Sequence, residues 1–597
     1  MKKHLHWLLL LPLFAVLGEQ QLDYMGYVKD DTFISMRYAR NLATGHGMVF
    51  NYGQKLEGYT NFLWVILTVP AYWLKVDPLT WVKGMGCLFG QLGIVVTYAL
   101  GRHLAGDRSD LFAWLAAAGY AFSASVVLWS TAGLEPTLMA VLCSGGTLFG
   151  MRLAARSPGD PGARKDALIA GLLLAAAGLT RPDAHAVVLV AAAAGVIDAL
   201  RRRDKFRPWL LCAGVITAIL GPYHLWRILY FGELLPNTFY IKAAAGPEVW
   251  EQGRQFALGL LGFTSNSGFF ALAALSFLVA LVTSLLRLRD RSAPSATAEG
   301  SEEPAVRSRL SDRNPARYWA FVLAVLFLLY LVKIGRDEMK WYRLYLPVFP
   351  LVLALGSDGL RWVAGGVHRA AGTLVGLGRG LRVGLFLAWL PVVLGLAWLT
   401  FSLNNDLLEQ KRDWHNRYVD SSKKSFQAMG AYISARSEPG DVVLFQDMGA
   451  APFSAGELRW VDTIGILDRT VAREHAAIGL NPFMRGLKRR SPGGAEAISD
   501  LDKRLRDYFF DQDPDWIAMV AYVGKRGGKR KKIRRSFRKA KGDKEREAKL
   551  FINRVKSNAH AHGIARDRRF RDHFSYEKAW MRNRGGYWLV LYRRNEP

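Results

Sequence analysis

Two adjacent acidic residues, Asp30 and Asp31, are the side chains in this sequence best suited to acid–base chemistry. They open a polar segment, KDDTFISMRYARNLATGHGMVFNYGQKLEGYTN (29–61), which lies between two strongly apolar segments. A carboxylate just outside a membrane span can act as a general base, or bind a cation or a sugar hydroxyl, where water meets lipid. Asp30 and Asp31 are therefore the predicted catalytic residues, and either one is the candidate ligand for a divalent cation.

The alternative for this segment is a solvated loop with a helix cap. The spacing of Ile34, Tyr38 and Leu42 predicts a helix that ends near Gly45, and Asp31 is well placed to cap it. Because a capping acid is less available for catalysis, the two acids are not expected to be equivalent, and Asp30 is the preferred base.

The composition indicates a membrane protein. Of 597 residues, 51% are hydrophobic and 12% aromatic, and the formal net charge is +29, which excludes a soluble globule of ordinary composition. The apolar residues occur in blocks of membrane-spanning length with Arg-rich connections between them. Cys87, Cys143 and Cys212 all lie inside these blocks, so neither a disulfide framework nor a cysteine metal site is predicted.

The blocks predict about eleven transmembrane helices. The apolar residues 62–74 are too few for a clear span, and the basic connections share the cytoplasmic side only if this segment lies in the outer interface. The amino terminus is then inside, with an uncleaved first helix, because Ala15-Val16-Leu17 is a poor signal-peptide cleavage site. The predicted spans are approximately 4–18, 83–101, 111–129, 135–153, 167–180, 184–199, 208–230, 268–286, 317–334, 342–357 and 382–401.

This topology places four further polar motifs on the same outer side as the acidic pair. They are WSTAGLE (129–135), TRPD (180–183), FGELLPNTFYIK (231–242) and GRDEMKWYR (335–343). Arginine suits bidentate phosphate contacts and lysine acts as a point charge, although charges at span ends also serve as structural pairs or interfacial anchors. The predicted ligands of the donor phosphate and sugar are Arg181, Lys242, Arg336, Lys340 and Arg343. Residues predicted to bind the acceptor or shape the site are Glu57, Tyr59, Asn61, Glu135, Asp183, Asn237 and Tyr240.

After residue 401 no apolar run is long enough to span a membrane. Residues 402–597 are therefore predicted to form one α/β domain on the outer side. Strands are expected at 441–446, 516–523 and 587–592, and helices at 421–436 and 498–510. Asp447, Asp462 and Asp468 either line a glycan groove or, more commonly for such positions, cap strands and turns. The basic run 525–549 is assigned to anionic headgroups, an acidic polysaccharide or solvent, and not to nucleic acid.

The membrane motifs resemble those of the GT-C superfamily of membrane glycosyltransferases. The strings DDTFISMRYARNLATGHGMVFNYGQKLEGYTNFLW, WSTAGLEPTLMA, LTRPDA, FGELLPNTFYIKA and WYRLYLPVFP are most similar to the mycobacterial terminal arabinofuranosyltransferases, with which motility-associated homologues are grouped. The resemblance implies a polytopic α-helical membrane domain at 1–401 and an extracytoplasmic α/β domain at 402–597. It also implies that Asp30 and Asp31 occupy the position of the catalytic or metal-contacting carboxylate of the family.

The same resemblance implies an enzyme of the bacterial cytoplasmic membrane with its site on the outer face. Its donor would be a polyprenyl-phosphate sugar, with arabinofuranose as the leading sugar, and its acceptor a cell-envelope glycan, lipid or protein. Membrane lipids are expected partners, and the only cofactor considered is a divalent cation. Two alternatives stay open: a transporter or flippase for a lipid-linked sugar, and a non-catalytic envelope or motility factor of the same fold.

Overall fold

The chain is mainly helical, with a β-sheet near its carboxyl end. The computed structural model describes residues 2–105, 110–157, 159–201, 206–242, 247–261, 270–282, 314–334, 339, 341–375, 422–489, 491, 493–522, 536, 540, 542–555, 562–582 and 587–596. The predicted span 382–401, the residues Arg336 and Lys340, and most of the basic run 525–549 lie outside these ranges.

The helices of the amino-terminal two thirds follow one another with short connections. They are α1 (Leu11–Asp23), α2 (Asp30–Ala43), α3 (Phe62–Trp73), α4 (Pro78–Ala105), α5 (Asp110–Ala121), α6 (Ala124–Thr131), α7 (Pro136–Ala155), α8 (Gly162–Thr180), α9 (Ala184–Arg201), α10 (Phe206–Phe231), α11 (Asn237–Lys242), α12 (Pro247–Leu261), α13 (Phe270–Val282), α14 (Asn314–Ile334) and α15 (Phe349–Val375). Two 3₁₀ segments, Lys2–Leu10 and Arg343–Tyr345, precede α1 and α15.

Five of the described helices are long and apolar enough to cross a membrane. They are α4, α7, α9, α10 and, over residues 316–334, α14; the pair α5 and α6, bent by 54°, counts as a sixth if it forms one broken span. The helix α3 is apolar but has only 12 residues. These findings support a multi-pass membrane protein, whereas the count of about eleven spans and the sidedness stay predictions.

The carboxyl-terminal region is an α/β fold around one five-stranded sheet. The strands are β1 (Val442–Phe445), β2 (Arg459–Asp462), β3 (Trp516–Tyr522), β4 (Phe574–Arg582) and β5 (Tyr587–Arg594). Their order is β2-β1-β3-β5-β4, with β1 parallel to both β2 and β3, and with β5 antiparallel to β3 and β4. The helices around them are α16 (Ala428–Ser434), α17 (Ala450–Ser454), α18 (Arg469–Ala477), α19 (Arg485–Lys488), α20 (Gly494–Asp511), α21 (Lys544–Val555) and α22 (Arg568–His573).

The three predicted strands are confirmed as β1, β3 and β5, and the predicted helix 498–510 is confirmed as α20. The strands β2 and β4 were not predicted. Both are edge strands; β2 has only four residues, two of them charged, and β4 carries exposed polar residues such as Ser575 and Lys578. The central strands supply Leu444, Ile517 and Val590 to an apolar core that α20 completes with Leu501 and Phe509.

The described chain divides into two compact units that interleave along the sequence. The first contains residues 1–25, 83–225 and 249–410, and the second contains residues 26–82, 226–248 and 411–597. The predicted domains differ from these units, because the prediction cut the chain once, between residues 401 and 402. The second unit therefore joins two early polar segments to the sheet region, and its internal contacts, described below, explain why.

Candidate functional site

The Asp30 carboxylate is engaged by backbone amides from the sheet region. Its two oxygens accept hydrogen bonds from the N–H groups of Gly449 and Ala450, each at 2.9 Å. A Cβ atom at position 449 would lie 2.1 Å from the backbone oxygen of Asp30, so only glycine permits this approach. Asp30 therefore holds the start of α17 against the start of α2, and both of its oxygens already have partners.

Asp31 has a different environment. It is the second residue of α2, whose N-cap is Lys29, and no side chain caps this helix. The prediction that Asp31 caps the helix is wrong, because the helix begins two residues earlier than an Asp31 cap requires. Asp31 is half-buried, and its carboxylate makes no ion pair or hydrogen bond with any described residue. Of the two predicted catalytic acids, Asp31 is the one whose oxygens are available to a ligand.

Arg37, two turns further along α2, was not among the predicted site residues. It is buried, and its guanidinium donates hydrogen bonds to the carbonyl oxygens of Phe50 (2.9 Å), Leu458 (3.1 Å) and Pro452. Burial lowers the pKa of Arg37 to about 9, which still leaves it charged at neutral pH. Arg37 thus fixes α2 to the segment between β1 and β2, the segment that Asp30 contacts.

Two asparagines make similar connections within the second unit. Asn51 exchanges two hydrogen bonds with the backbone of Trp460 on β2, at 2.8 and 3.0 Å. Asn237 donates from its side chain to the carbonyl oxygens of Gly465 (2.8 Å) and Ile466 (3.0 Å). Asn237 was predicted to bind the acceptor or shape the site, and its amide nitrogen holds the loop after β2.

Glu57 forms a buried ion pair in the same unit. Its carboxylate lies 3.2 Å from the guanidinium of Arg227, and both side chains are less than 5% exposed. Burial raises the pKa of Glu57 to about 7, although the nearby Arg227 opposes the shift. The backbone oxygen of Glu57 also accepts from the amide of Asn237 at 2.9 Å. The charge of Glu57 therefore depends on pH near neutrality, and its role at the acceptor site stays a prediction.

The remaining predicted residues of the second unit are supporting groups. Asn61 is buried and shares two hydrogen bonds with Ser35 of α2, at 3.0 and 3.2 Å. Tyr59 is buried and packs edge-on against Tyr38, with ring centroids 4.9 Å apart. Tyr240 is half-buried, and the guanidinium of Arg473 lies over its ring. Lys242 is the last residue of α11.

In the first unit, Glu135, Arg181 and Asp183 form one buried group. The Arg181 guanidinium lies 2.7 Å from Glu135 and 2.8 Å from Asp183. Burial disfavours the charged guanidinium, but Asp183 and Glu135 together raise the pKa of Arg181. Two carboxylates thus share one guanidinium. The assignment of Arg181 to the donor phosphate stays a prediction.

Arg343 is a better placed cation in the same unit. It is 8% exposed, and its guanidinium lies over the indole ring of Trp129, 5.7 Å from the centroid. The Trp129 indole N–H donates to the carbonyl oxygen of Trp341 at 3.0 Å, which fixes the ring that Arg343 contacts.

An apolar cavity of about 260 Å³ lies among α7, α8, α9, α10 and α14. Its lining includes Gly150, Leu174, Ala194, Trp209 and Leu323 and contains no charged residue. Most lining residues come from the late parts of α7 and α9 and the early part of α10. The cavity therefore lies toward the helix ends opposite Glu135, Arg181 and Asp183, and it suits an apolar chain.

The hydrogen bonds of Asp462 and Asp468 show which of the two predicted roles, groove or cap, these acids have. Asp462 is buried and accepts from the amides of Ile464 and Leu467, at 2.8 and 2.9 Å. Asp468 caps α18 by accepting from the amide of Val471 at 3.0 Å. Both acids are structural residues, and the prediction of a glycan groove finds no support in them.

Among the described residues, no group of three or more His, Cys, Asp or Glu side chains could hold a metal ion. Because Asp30 uses both oxygens for backbone amides, it is a poor ligand for a cation. A divalent cation at Asp31 stays a prediction.

Comparisons with known proteins agree with the resemblance carried by the motifs. The chain is similar to the terminal β-(1→2)-arabinofuranosyltransferases of Corynebacterium glutamicum (23% identity over 350 residues, covering 55% of this chain and 47% of the relative) and Mycobacterium tuberculosis (27% over 345 residues, covering 55% and 52%). The predicted resemblance to this group is thereby confirmed. The chain spans about half the length of the curated relatives it matches.

A family model described as a domain of unknown function (DUF8728) matches residues 413–592, which include β1 to β4 and most of β5. Two solved structures are also similar. One is ArnT from Cupriavidus metallidurans bound to undecaprenyl phosphate, at 15% identity and a TM-score of 0.49, covering 79% of this chain and 89% of that one. The other is the archaeal oligosaccharyltransferase AglB from Archaeoglobus fulgidus, at 11% identity and a TM-score of 0.48, covering 100% and 75%.

Proposed function

We propose that this protein is an integral membrane glycosyltransferase that moves a sugar from a polyprenyl phosphate to an acceptor hydroxyl, with Asp31 as the general base. The observation that carries the proposal is the contrast between the two acids: the Asp30 carboxylate accepts hydrogen bonds from two amides, whereas the Asp31 carboxylate has no hydrogen bond or ion pair with a described residue. The names of the curated relatives support the reaction class, and arabinofuranose is the first donor sugar to test.

The reaction requires orientation and proton transfer more than activation of the donor. An acceptor oxygen attacks the anomeric carbon, its proton passes to the Asp31 carboxylate, and the bond from the anomeric carbon to the phosphate oxygen breaks. The polyprenyl phosphate leaves with the electron pair of that bond. Asp30 is a positioning residue in this scheme, because it fixes the first turn of α2 and hence the direction of Asp31.

Arg343 is the arginine that we assign to the departing phosphate. Its guanidinium lies over the indole ring of Trp129, which gives the charge a fixed direction. A guanidinium can meet a phosphate through two parallel hydrogen bonds. The alternative cations Arg336 and Lys340 belong to the same stretch of sequence and stay predictions.

The grouping of segments supports the predicted sidedness. Residues 26–82, 226–248 and 411–597 belong to one compact unit, and we propose that they share one side of a membrane. This requires an even number of crossings between residues 82 and 226, where six spans are predicted, and between 248 and 411, where four are predicted. It also favours an interfacial α3 that does not cross. We propose that this shared side is the extracytoplasmic one.

A pair of reporter fusions tests the sidedness. Alkaline phosphatase fused after Asn405 and after Ile241 is expected to be active at both positions. Ile241 belongs to the second unit, and Asn405 lies a few residues before the last segment of that unit. A cytoplasmic reporter should be active after Arg201, within the connection between α9 and α10. Phosphatase activity at only one of the first two positions would contradict the grouping, and inactivity at both would reverse the orientation.

Mass analysis of products tests the reaction itself. Purified protein in lipid nanodiscs is incubated with a panel of polyprenyl-phosphate sugars and envelope oligosaccharides. One donor should be consumed while an acceptor gains the mass of one sugar residue, and the Asp31→Asn variant should form little product. If no donor is consumed, the glycosyltransferase proposal fails; movement of an intact donor across vesicles without product would identify a transporter.

A further inference from the structure

Two histidines of the first unit, His185 and His224, bring their ring nitrogens together, and neither residue has a role in the proposed reaction. His185 is the second residue of α9, and His224 lies in α10, two residues after Pro222. Their Nε2 atoms are 3.1 Å apart, and the rings are tilted by 50° with centroids 5.2 Å apart. The rings therefore do not stack; they converge through their nitrogens.

The protonation of His185 follows from its second nitrogen. Its Nδ1 lies 2.9 Å from the carbonyl oxygen of Pro182, an atom that can only accept a hydrogen bond. Nδ1 must therefore carry a proton, and in the neutral ring Nε2 presents a lone pair toward His224. A carbonyl that accepts from one imidazole nitrogen and so orients the other is the usual support of a metal-binding histidine.

We propose that His185 and His224 bind one divalent transition-metal ion, such as Zn²⁺ or Ni²⁺, between their Nε2 atoms. Zinc–nitrogen bonds of 2.0–2.1 Å at a tetrahedral angle place two ligand nitrogens about 3.3 Å apart, so the observed 3.1 Å requires an adjustment of a few tenths of an ångström. Imidazole suits these borderline metals better than Mg²⁺ or Ca²⁺, which prefer oxygen ligands.

The surroundings favour a cation at this position. His185 follows Asp183 by two residues, and Asp183 shares the guanidinium of Arg181 with Glu135, so acidic side chains lie close to His185 along the chain. Both histidines are half-buried, so the ion keeps coordination positions open to water or to an anionic oxygen. With two protein ligands, the site fits reversible binding and not a permanent structural metal. This inference does not depend on the glycosyltransferase activity.

The competing arrangement is a plain hydrogen bond in which His224 donates Nε2–H to the lone pair of His185. The variant His224→Gln separates the two, because a glutamine side chain keeps an N–H donor but has no imidazole lone pair. His185→Asn removes the other metal ligand and keeps a donor near the Pro182 carbonyl. His46→Gln, in the polar segment of the second unit, is the matched control.

The experiment measures metal binding directly on the full chain, purified without a polyhistidine tag and stripped with a chelator. Elemental analysis after equilibration with Zn²⁺, and titration with Co²⁺ followed by visible absorption, should show one bound ion per chain. His224→Gln and His185→Asn should each weaken binding about tenfold or more, since removing a ligand costs at least as much as removing its support. His46→Gln should bind like the unaltered protein.

Two results would overturn the proposal. One is no bound ion at micromolar metal; the other is unchanged binding in His224→Gln, which would leave the pair a hydrogen bond and place the metal elsewhere. Thermal denaturation with and without Zn²⁺ shows whether each variant is folded. A metal that binds the native state should raise the apparent Tm of the unaltered protein and of His46→Gln only.

Discussion

The acidic pair at the start of α2 and the group of Glu135, Arg181 and Asp183 use similar residues in different ways. At the start of α2, the Asp30 carboxylate accepts hydrogen bonds from two backbone amides, whereas its neighbour Asp31 is half-buried and has no hydrogen bond or ion pair with a described residue. In the other group, two carboxylates share one guanidinium. A charge that is matched by backbone dipoles leaves a neighbouring charge available for chemistry, whereas one that is matched by opposite charges does not.

The comparison also separates anchoring from catalysis. Three side chains bind backbone groups of the sheet region: Asp30, Arg37 and Asn51. These residues hold the second unit together. They are expected to affect activity through geometry, while Asp31 affects it through proton transfer.

The largest expected effect is at Asp31. Asp31→Asn should lower turnover by roughly two to four orders of magnitude, the usual size of a general-base contribution, with unchanged donor binding and apparent Tm. Asp30→Asn should instead lower the apparent Tm as well, because an amide oxygen replaces only one of the two acceptors used by Gly449 and Ala450. Turnover, donor affinity and Tm are measured side by side. Near-normal turnover in Asp31→Asn would remove it from the mechanism.

The second expected effect is on stability, at Arg181. Arg181→Gln leaves Glu135 and Asp183 buried without their counter-charge, which typically costs about 3–5 kcal/mol. The triple variant Arg181→Gln, Glu135→Gln, Asp183→Asn should recover much of that loss, since no net charge stays buried. Thermal denaturation in nanodiscs measures both. A stable Arg181→Gln variant with weakened donor binding would instead support the prediction that Arg181 contacts phosphate.

The smallest expected effect is the pH dependence at Glu57. Its folded pKa of about 7 lies above the unfolded value, so the folded state holds the proton more tightly and its stability falls as pH rises from about 4 to 7. Glu57→Gln mimics the protonated form and should remove this slope. The Tm of the variant minus that of the unaltered protein should therefore increase between pH 5 and pH 8. A decrease would mean that the ion pair with Arg227 outweighs the cost of burial.

Much of the local structure followed from the sequence. The central strands β1, β3 and β5 are short apolar runs, and the helix α2 follows from the spacing of Ile34 and Tyr38. The edge strands β2 and β4 escaped prediction because their polar residues weaken the apolar signal. Arg37 also escaped, although an arginine that lies among the apolar positions of a helix is a signal that could have identified it.

Hydrophobic length, charge and the motif strings are local properties, and they determined that this is a multi-pass membrane protein similar to arabinofuranosyltransferases, with an acidic pair at its candidate site. Which acid is available was decided by tertiary structure alone. The amides that engage Asp30 lie 419 and 420 residues away along the chain, and no local pattern reports such a partner. The same holds for Arg181, whose partner Glu135 lies 46 residues earlier. A charge becomes a catalyst or an anchor according to the groups that the fold brings to it, because desolvation and pairing act over a few ångströms and not along the sequence.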